Sequence, residues 1–355
     1  MTIELRLDLE RPGFRLTVDT EIPARGVTAA FGRSGCGKTT LLRCVAGLEP
    51  SVRGRLVVNG DVWQDGDRFI PAHQRPLGYV FQEGQLFPHL SVEGNLRYGY
   101  RRIPPAERVV QPEDVARLLG LETLLQRPVT EISGGQRQRV AMGRALLTSP
   151  RVLLMDEPLA ALDAISKAEI LPYLERLHDE LSIPVLYVSH AIDEVTRLAD
   201  HMLLMEDGVI RAEGPLRELI TRGDLPLAHA AGAAAVIEAR VTGHDDRYHL
   251  TELGFEGGSL VISRAILQRS AHVRVRIMAR DVAISLTRPQ DSSVLNCLPA
   301  QVLDVSDDPH PGHVLVRLVV GDATLLARIT RRSLEHLELE PGSDVYALVK
   351  SVALT

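Results

Sequence analysis

The chain has 355 residues, of which 45% are hydrophobic and 24% charged, and its formal net charge is −6 at pH 7. Because this length exceeds the size at which one hydrophobic core usually keeps growing, we expect two domains. The negative charge argues against a nucleic-acid-binding protein, which needs a basic surface. No apolar stretch approaches the roughly 20 residues that span a bilayer.

The N-terminus and the cysteines both favour a cytoplasmic protein. Residues 1–6 lack the basic and then apolar pattern of a secretory signal. The cysteines form neither a paired framework nor a metal-ligand spacing, which is typical of a reducing compartment, and they are Cys36, Cys44 and Cys297. We therefore expect any association with a membrane to depend on a protein partner.

The first two thirds of the chain have the pattern of an α/β domain. Between residues 26 and 211, longer helical segments alternate with short apolar runs that are typical of parallel strands buried on both faces, at 27–31, 152–155 and 185–188. Residues 109–148 contain no comparable run. We therefore place a helical subdomain at about residues 84–150 within an α/β domain of residues 1–230.

A change of pattern marks a second domain, which we place at residues 236–355. An Ala- and Gly-rich linker precedes it at residues 228–235. Beyond the linker, apolar and polar residues alternate as in half-buried strands, at 272–277, 313–318 and 344–349. Gly and Pro turns separate these segments, so the predicted fold is a small antiparallel barrel of the OB type.

The first motif fits G-x-x-x-x-G-K-[ST] between an apolar strand and a helical segment, which is the context a phosphate loop requires. Its glycines let backbone N–H groups surround phosphate oxygens, and the helix N-terminus adds partial positive charge. We expect Lys38 to contact the β- and γ-phosphates and the Thr39 hydroxyl to bind Mg²⁺. The residues expected at the nucleotide are Gly32, Arg33, Ser34, Gly35, Cys36, Gly37, Lys38, Thr39 and Thr40.

The second motif is an apolar strand that ends in two carboxylates, Asp156 and Glu157. It places negative charge at the carboxyl edge of a parallel sheet, where α/β proteins bind their ligands. We expect Asp156 to hold Mg²⁺ through water and Glu157 to polarise the attacking water as a general base. A strand with an acidic end is compatible with a structural role by itself, and its combination with the phosphate loop favours catalysis.

Four further motifs, in the same order as in ATP-binding-cassette (ABC) proteins, distinguish this chain from other nucleotide hydrolases. They are Tyr79-Val80-Phe81-Gln82, Ile132-Ser133-Gly134-Gly135-Gln136, Leu159-Ala160-Ala161-Leu162-Asp163 and Val188-Ser189-His190. They resemble the glutamine loop, the signature, the aspartate loop and the histidine switch of that family. Ile132 stands where the family usually has Leu, and Ala160 where it has Ser. The resemblance covers residues 3 to 230.

This resemblance implies a head-to-tail homodimer and a division of roles around ATP. Each ATP is expected between the phosphate loop of one copy and the signature of the other, with contacts from Ser133, Gly134, Gly135, Gln136 and Asp163. Gln82 is expected to sense the γ-phosphate and Mg²⁺, and His190 to hydrogen-bond the γ-phosphate and orient the attacking water. Phe14 is either the aromatic residue that stacks on adenine or a core residue.

The segment after Gln82 resembles the part of bacterial importers that docks against the membrane subunit. This similarity, at residues 83–99, implies integral-membrane permease partners, indirect action with an extracytoplasmic substrate-binding protein, and a place at the cytoplasmic face of the membrane. The amino-acid sequence looks like that of ATPase subunits of molybdate importers, especially at residues 95–99, 171–174 and 186–190.

In that family a C-terminal barrel is related to molybdate-binding domains. Residues 292–296 resemble its Ser-Ala-Arg-Asn element, with Leu295 at the usual Arg position, and residues 345–351 resemble its closing strand. The candidate oxyanion-binding residues are Ser292, Ser293, Lys350 and Ser351. The barrel either senses imported oxyanion and inhibits ATP hydrolysis or only holds the dimer together.

The leading hypothesis is therefore the ATPase subunit of a molybdate or tungstate importer. Sulfate, sugar, polyamine and ferric-iron importers also use such barrels, so their ATPase subunits are the nearest alternatives. A soluble cassette ATPase acting on ribosomes or DNA generally carries two cassettes or a long coiled-coil insertion, and this chain has neither. An oxyanion storage protein would not need the ATPase motifs.

Overall fold

The computed structural model describes residues 2–180, 182–230, 232–265 and 267–354. The chain forms two compact units, Met1–Gly214 and Pro215–Thr355. Within the described residues, no helix is both long and apolar enough to cross a membrane. The domain limits at residues 230 and 236 stay predictions.

The first unit is organised by one large sheet. Its strands, in chain order, are β1 (Thr2–Arg11), β2 (Phe14–Pro23), β3 (Val27–Phe31), β4 (Arg53–Val58), β5 (Asp61–Asp65), β6 (Arg68–Phe69), β7 (Leu77–Val80), β8 (Val152–Asp156), β9 (Val185–Ser189), β10 (His201–Glu206) and β11 (Val209–Pro215). Across the sheet their order is β6-β5-β4-β1-β2-β11-β10-β3-β9-β8-β7. The neighbours from β10 to β7 pair in parallel, and β1, β2, β4, β5 and β6 form antiparallel pairs.

The helices of the first unit connect strands of the sheet. They are α1 (Lys38–Ala46), α2 (Val92–Tyr100), α3 (Pro112–Leu118), α4 (Gly134–Leu146), α5 (Ala164–Glu180) and α6 (Ile192–Leu198). Helices α2, α3 and α4 lie between β7 and β8 in the chain, and α3 and α4 fall within residues 109–148, whose sequence lacks strand patterns. Ser91 caps α2 by accepting a hydrogen bond from the Gly94 amide at 3.1 Å.

The parallel strands place their carboxyl ends at one edge of the sheet. Strands β8 and β9 are buried along their whole length, as their continuous apolar sequences predict. In the sheet register Phe31 pairs with Ser189, and Val80 pairs with Met155. The residues that follow β3, β7, β8 and β9 therefore leave the sheet side by side, and these segments carry the predicted site.

The second unit is mainly antiparallel β-structure. Its short helices are α7 (Leu216–Leu219), α8 (Pro226–His229) and α9 (Arg331–His336). Its strands are β12 (Ala234–Asp245), β13 (Leu250–Phe255), β14 (Gly258–Ser263), β15 (His272–Met278), β16 (Val282–Ser285), β17 (Asn296–Asp307), β18 (His313–Val320), β19 (Ala323–Thr330), β20 (Asp344–Val349) and β21 (Ala353–Leu354).

These strands form two five-stranded sheets in the described part of the chain. Their orders are β14-β13-β12-β15-β21 and β16-β20-β17-β18-β19. Side chains from both sheets, such as Ile237 and Val316, belong to one hydrophobic core. The three alternating segments seen in the sequence lie in β15, β18 and β20, and the predicted OB-like fold is confirmed.

Candidate active site

The phosphate loop, residues 32–37, joins the buried strand β3 to helix α1. Gly35 and Gly37 have φ angles of 84° and 108°, a left-handed conformation that glycine adopts without steric cost. A Cβ atom on Gly32 would lie 2.3 Å from a backbone oxygen of β10. The glycines of the motif are therefore required by the local backbone and its packing. Arg33 and Ser34 are exposed, Cys36 is buried and Thr40 is half-buried.

Phe14 lies directly against this loop. A Cβ atom on Gly37 would be 2.8 Å from Cζ of Phe14, so the ring occupies the space beside the loop backbone. The ring is half-buried and also packs on the hydrophobic core of the first unit. Its position is compatible with both roles given to it, and the stacking role stays a prediction.

Lys38 is 4% exposed and its ammonium lies within the loop. Nζ donates hydrogen bonds to the backbone oxygens of Gly32 and Arg33 at 2.8 and 3.0 Å. It also lies 3.7 Å from Oε1 of Glu157. A buried ammonium is stabilised by such partners, and it stands where a phosphate group entering the loop would meet it.

Thr39 and Asp156 meet at the start of α1. The Thr39 hydroxyl donates to Oδ1 of Asp156 at 2.8 Å, and the Tyr79 hydroxyl donates to Oδ2 at 3.1 Å. Burial raises the pKa of Tyr79, so its hydroxyl stays protonated and orients the carboxylate. The hydroxyl and carboxylate oxygens form a donor set that hard divalent cations prefer.

Sequence reasoning missed the contribution of Tyr79. Tyr79 on β7 pairs with Leu154 on β8, and Asp156 follows Leu154 by two residues along β8. Side chains two residues apart share one face of a sheet. An aromatic hydroxyl near the end of the neighbouring strand was therefore the signal available in the sequence.

Glu157 is held between the lysine and the histidine. Its Oε2 lies 3.1 Å from Nδ1 of His190, and its Oε1 faces Nζ of Lys38. Its φ angle is +43°, which is uncommon for a residue with a side chain and directs the carboxylate out of the strand. The Glu157 side chain is 18% exposed and that of His190 49% exposed. This carboxylate can accept a proton from a water molecule.

Gln82 is exposed two residues beyond β7. Val80 pairs with Met155, so Gln82 and Glu157, each two residues further along the chain, leave the sheet at the same level. Among the hydrogen bonds of the described residues, none joins Gln82 to Thr39 or Asp156. Its predicted contact with Mg²⁺ stays a prediction.

The signature lies at the exposed N-terminus of α4. The Ser133 hydroxyl accepts from the Gln136 amide at 3.2 Å, and Gln136 Oε1 accepts from the Ser133 amide at 3.0 Å. This capping box satisfies the amides of Ser133 and Gln136. Ser133 is exposed, Gly134 half-buried and Gly135 buried. A Cβ atom on Gly134 would lie 3.2 Å from Cδ2 of Leu162, so the signature borders the aspartate loop.

Asp163 ends the aspartate loop and caps α5. Its carboxylate accepts from the amide and the hydroxyl of Ser166 at 2.9 and 3.1 Å. The amide hydrogen bond from Ser166 holds the pKa of Asp163 below its usual value. The hydrogen bonds of the described chain do not join residues 133–136 or 163 to the phosphate loop.

The predicted oxyanion residues lie at one end of a strand pair in the second unit. Asn296, the first residue of β17, pairs with Val349, the last residue of β20. Segment 292–293 therefore leaves the pair at the same end as segment 350–351. All four candidate side chains, Ser292, Ser293, Lys350 and Ser351, are exposed.

Comparison with known protein families gives two matches. The family described as ABC transporter matches residues 16–160. The TOBE domain matches residues 292–355, which contain the strands from β17 to β21. Both matches agree with the order of the α/β and all-β units in the structure.

Curated relatives extend the similarity to almost the whole chain. The molybdenum import ATP-binding protein ModC of Thiobacillus denitrificans is 55% identical over 352 residues, which cover 99% of this chain and 97% of that protein. The chain belongs to this family. ModC of Aromatoleum aromaticum is 56% identical, over 99% of this chain and 94% of its own length. ModC of Pseudomonas aeruginosa is 52% identical, over 99% of this chain and 99% of its own length. The predicted family, an ABC ATPase, is confirmed.

Solved structures support the fold of the first unit. cbiO1 from Clostridium perfringens, part of the ABC transporter complex cbiONQ, has a TM-score of 0.55 at 28% identity over 62% of this chain and 90% of that chain. A dimeric ATP-binding cassette in a post-hydrolysis state with ADP and Pi has a TM-score of 0.51 at 23% identity, over 61% of this chain and 99% of that one. The second likeness concerns the fold alone.

Proposed function

We propose that this chain is the ATP-hydrolysing subunit of a molybdate importer and acts at the cytoplasmic face of the membrane. The observation that carries the proposal is the position of Glu157 between Lys38 Nζ and His190 Nδ1, beside the contact of Thr39 with Asp156. The cargo follows from relatives that are named for molybdenum import and are 52% to 56% identical.

The roles of these residues follow from their chemistry. Lys38 and the amides at the start of α1 bind the phosphates of ATP, and Glu157 accepts the proton of the attacking water. His190 orients that water and hydrogen-bonds the γ-phosphate. A positioned general base contributes on the order of 10²–10⁴ in rate, and the remaining acceleration comes from positioning and charge neutralisation.

Mg²⁺ fits the oxygen donors of Thr39 and Asp156. The hydroxyl and the carboxylate are 2.8 Å apart, and Tyr79 fixes the other carboxylate oxygen. A bound Mg²⁺ supplies positive charge that neutralises phosphate oxygens. Gln82, which leaves the sheet at the same edge, is the further residue assigned to the ion and the γ-phosphate.

A second copy of the chain completes the nucleotide site. The start of α4, where Ser133 is exposed, offers Ser133, Gly134 and Gly135 as a phosphate cap, since a helix N-terminus favours anions. Within one copy these residues make no hydrogen bond to the phosphate loop in the described part of the chain. We assign them, with Gln136 and Asp163, to the ATP held by the partner copy of a head-to-tail homodimer.

A cleft in the helical segment is the proposed contact with the permease. The cleft has a volume of about 510 Å³ and is lined by His89, Leu90, Gly94, Tyr98, Arg101 and Arg102. Phe87 lies beside it, with its ring centroid 4.2 Å from that of Tyr98. Aromatic and arginine side chains are typical anchors of protein interfaces. The extracytoplasmic substrate-binding protein acts on this chain only through the permease.

The barrel is assigned a regulatory oxyanion site. Ser292, Ser293, Lys350 and Ser351 combine hydroxyl donors with one ammonium at the same end of β17 and β20. In this assignment molybdate or tungstate binds there and lowers ATP hydrolysis. Calorimetry on the full chain with Lys350→Ala as control tests it, and equal affinity for molybdate in both proteins would remove the assignment.

The function is tested by reconstituting the full chain with its permease and binding protein. We expect ATP hydrolysis to rise with molybdate-loaded binding protein and to be absent with Glu157→Gln. Sulfate as the only oxyanion should leave hydrolysis at its basal rate. Stimulation by sulfate and not by molybdate would contradict the cargo, and a wild-type chain without ATP hydrolysis would contradict the function.

A further inference from the structure

A buried carboxylate lies directly beside the histidine switch. Glu194, in the first turn of α6, is 5% exposed. Its Oε2 accepts hydrogen bonds from the Tyr187 hydroxyl at 2.9 Å and the Ser189 hydroxyl at 2.8 Å, and its Oε1 accepts from Lys167 Nζ at 2.9 Å. No sequence motif pointed to this residue.

The Ser189 hydroxyl connects this carboxylate to the backbone on both sides of His190. Ser189 Oγ donates to Glu194 and accepts from the Ala191 amide at 3.0 Å. An ionised carboxylate can only accept hydrogen bonds, so the hydroxyl proton points to Glu194 and a lone pair remains for Ala191. Ser189 and Ala191, which flank His190, are thereby fixed relative to each other.

The other donors, Lys167 and Tyr187, hold the carboxylate in place. A buried charge is costly unless it is paired, and Lys167 supplies the opposite charge. Burial raises the pKa of Tyr187 well above its usual value, so its hydroxyl remains a donor. These bonds fix the orientation of the Glu194 carboxylate. The hydrogen bond from Ser189 then ties the segment that carries His190 to this fixed group.

We infer that Glu194 is a positioning residue for ATP hydrolysis, which holds His190 in reach of Glu157 through the Ser189 hydroxyl. His190 Nδ1 lies 3.1 Å from Glu157 Oε2, a contact that a small rotation of the 189–191 backbone would break. The inference rests on the proposed roles of Glu157 and His190. Small misplacements of reacting groups are costly in rate, on the order of 10²-fold for about 1 Å.

Lys167 extends the network to the aspartate loop. Lys167 lies in the first turn of α5, and its amide donates to the Asp163 backbone oxygen at 2.9 Å. Glu194 therefore joins the helix that begins after Asp163 to the strand end that carries His190. The same carboxylate links both segments that are assigned to nucleotide contacts.

The test compares Glu194→Gln, Ser189→Ala and their combination in the full-length protein. Each single substitution should lower kcat about ten-fold, with KM for ATP changed by less than about two-fold. The melting temperature should stay within about 3 °C of the wild type for Ser189→Ala. Because both residues act through one link, the double variant should be no more than about two-fold slower than Glu194→Gln.

A matched control is Glu49→Gln, a second buried carboxylate, which pairs with Arg11 and Arg43 far from His190 in the sequence. It should lower the melting temperature and leave kcat within about two-fold of the wild type, because it has no bond to the 189–191 segment. If Glu194→Gln fails to fold, the kcat of Ser189→Ala tests the inference by itself, since this substitution removes only one hydroxyl group.

Three outcomes would overturn the inference. The first is an unchanged kcat in Ser189→Ala. The second is a fall of kcat in the single variants that is accompanied by an equal loss of ATP affinity and by lost stability. The third is a double variant whose fall in kcat equals the product of the falls in the two single variants. A wild-type chain that hydrolyses no ATP would instead contradict the proposed function. The two failures are therefore distinguishable in one set of measurements.

Discussion

Nδ1 of His190 lies 3.1 Å from Oε2 of Glu157. The two residues follow neighbouring parallel strands, β9 and β8, and the pairing of Asp156 with Val188 sets their relative level. Glu157 also donates its amide to the Val188 backbone oxygen at 3.0 Å. The contact between Glu157 and His190 is therefore built into the sheet register.

Replacing Glu157 by Gln should abolish turnover and leave ATP binding intact. Gln has nearly the same shape but cannot accept a proton from water at neutral pH, so kcat should fall by about 10²–10⁴. ATP-bound dimers should then accumulate, which size-exclusion chromatography with ATP detects. The exposed Glu122→Gln is the control. Turnover near the wild-type rate would refute the general-base role.

Replacing Lys38 by Ala should weaken ATP binding. The ammonium is buried within the phosphate loop, and a charge-assisted contact with phosphate contributes about 1.5–3 kcal/mol, which corresponds to about ten- to 150-fold in affinity. Equilibrium binding of ATP measures the change. The exposed Arg53→Ala should bind ATP as the wild type does, and equal affinity in Lys38→Ala would exclude the phosphate contact.

Tyr79→Phe should raise the Mg²⁺ concentration needed for half-maximal ATP hydrolysis. The hydroxyl orients Asp156, and loss of such an outer partner typically weakens metal sites about ten-fold or more. The rate of ATP hydrolysis, measured at a fixed ATP concentration over a series of Mg²⁺ concentrations, gives this half-maximal concentration. An unchanged Mg²⁺ requirement would show that Tyr79 does not support the ion site.

Alkylation should distinguish the cysteines. Burial raises the pKa of Cys36, and that of Cys44 to about 12, so little of either thiol is ionised near neutral pH. The thiolate is the reactive form. Because Cys297 is half-buried and the other two thiols are buried, Cys297 should be labelled first and Cys44 last. Because the pKa of Cys36 is raised, its labelling should accelerate only at a higher pH than the labelling of a free cysteine.

Bound ATP should slow the labelling of Cys36, which lies within the phosphate loop. Mass spectrometry of the labelled peptides, with and without ATP, measures both effects. If Cys36 is labelled faster than Cys297, its burial in the structure is contradicted. If labelled protein hydrolyses ATP normally, Cys36 does not face the nucleotide.

Sequence patterns predicted the parts of the fold that depend on local composition. Continuous apolar runs indicated β3, β8 and β9 because a strand covered on both faces needs such a sequence. The phosphate loop was equally recognisable, since its glycines are required by left-handed backbone angles and close packing. Alternating segments identified β15, β18 and β20 in the second unit.

The remaining features depend on contacts between residues distant in the sequence. Lys167 and Glu194 are 27 positions apart, and Tyr79 and Asp156 are 77 apart. Neither pair has a spacing that a periodic pattern would reveal. The capping box of Ser133 and Gln136 is different, because Ser followed three residues later by Gln is a local pattern that the sequence itself contains.

In the proposed function, two copies of this chain enclose each ATP. The most direct measurement is a crystal structure of Glu157→Gln with MgATP. We expect a head-to-tail dimer in which Ser133 Oγ of one copy is within hydrogen-bond distance of the γ-phosphate bound by Lys38 of the other. ATP in the phosphate loops with both signatures remote from any nucleotide would contradict it.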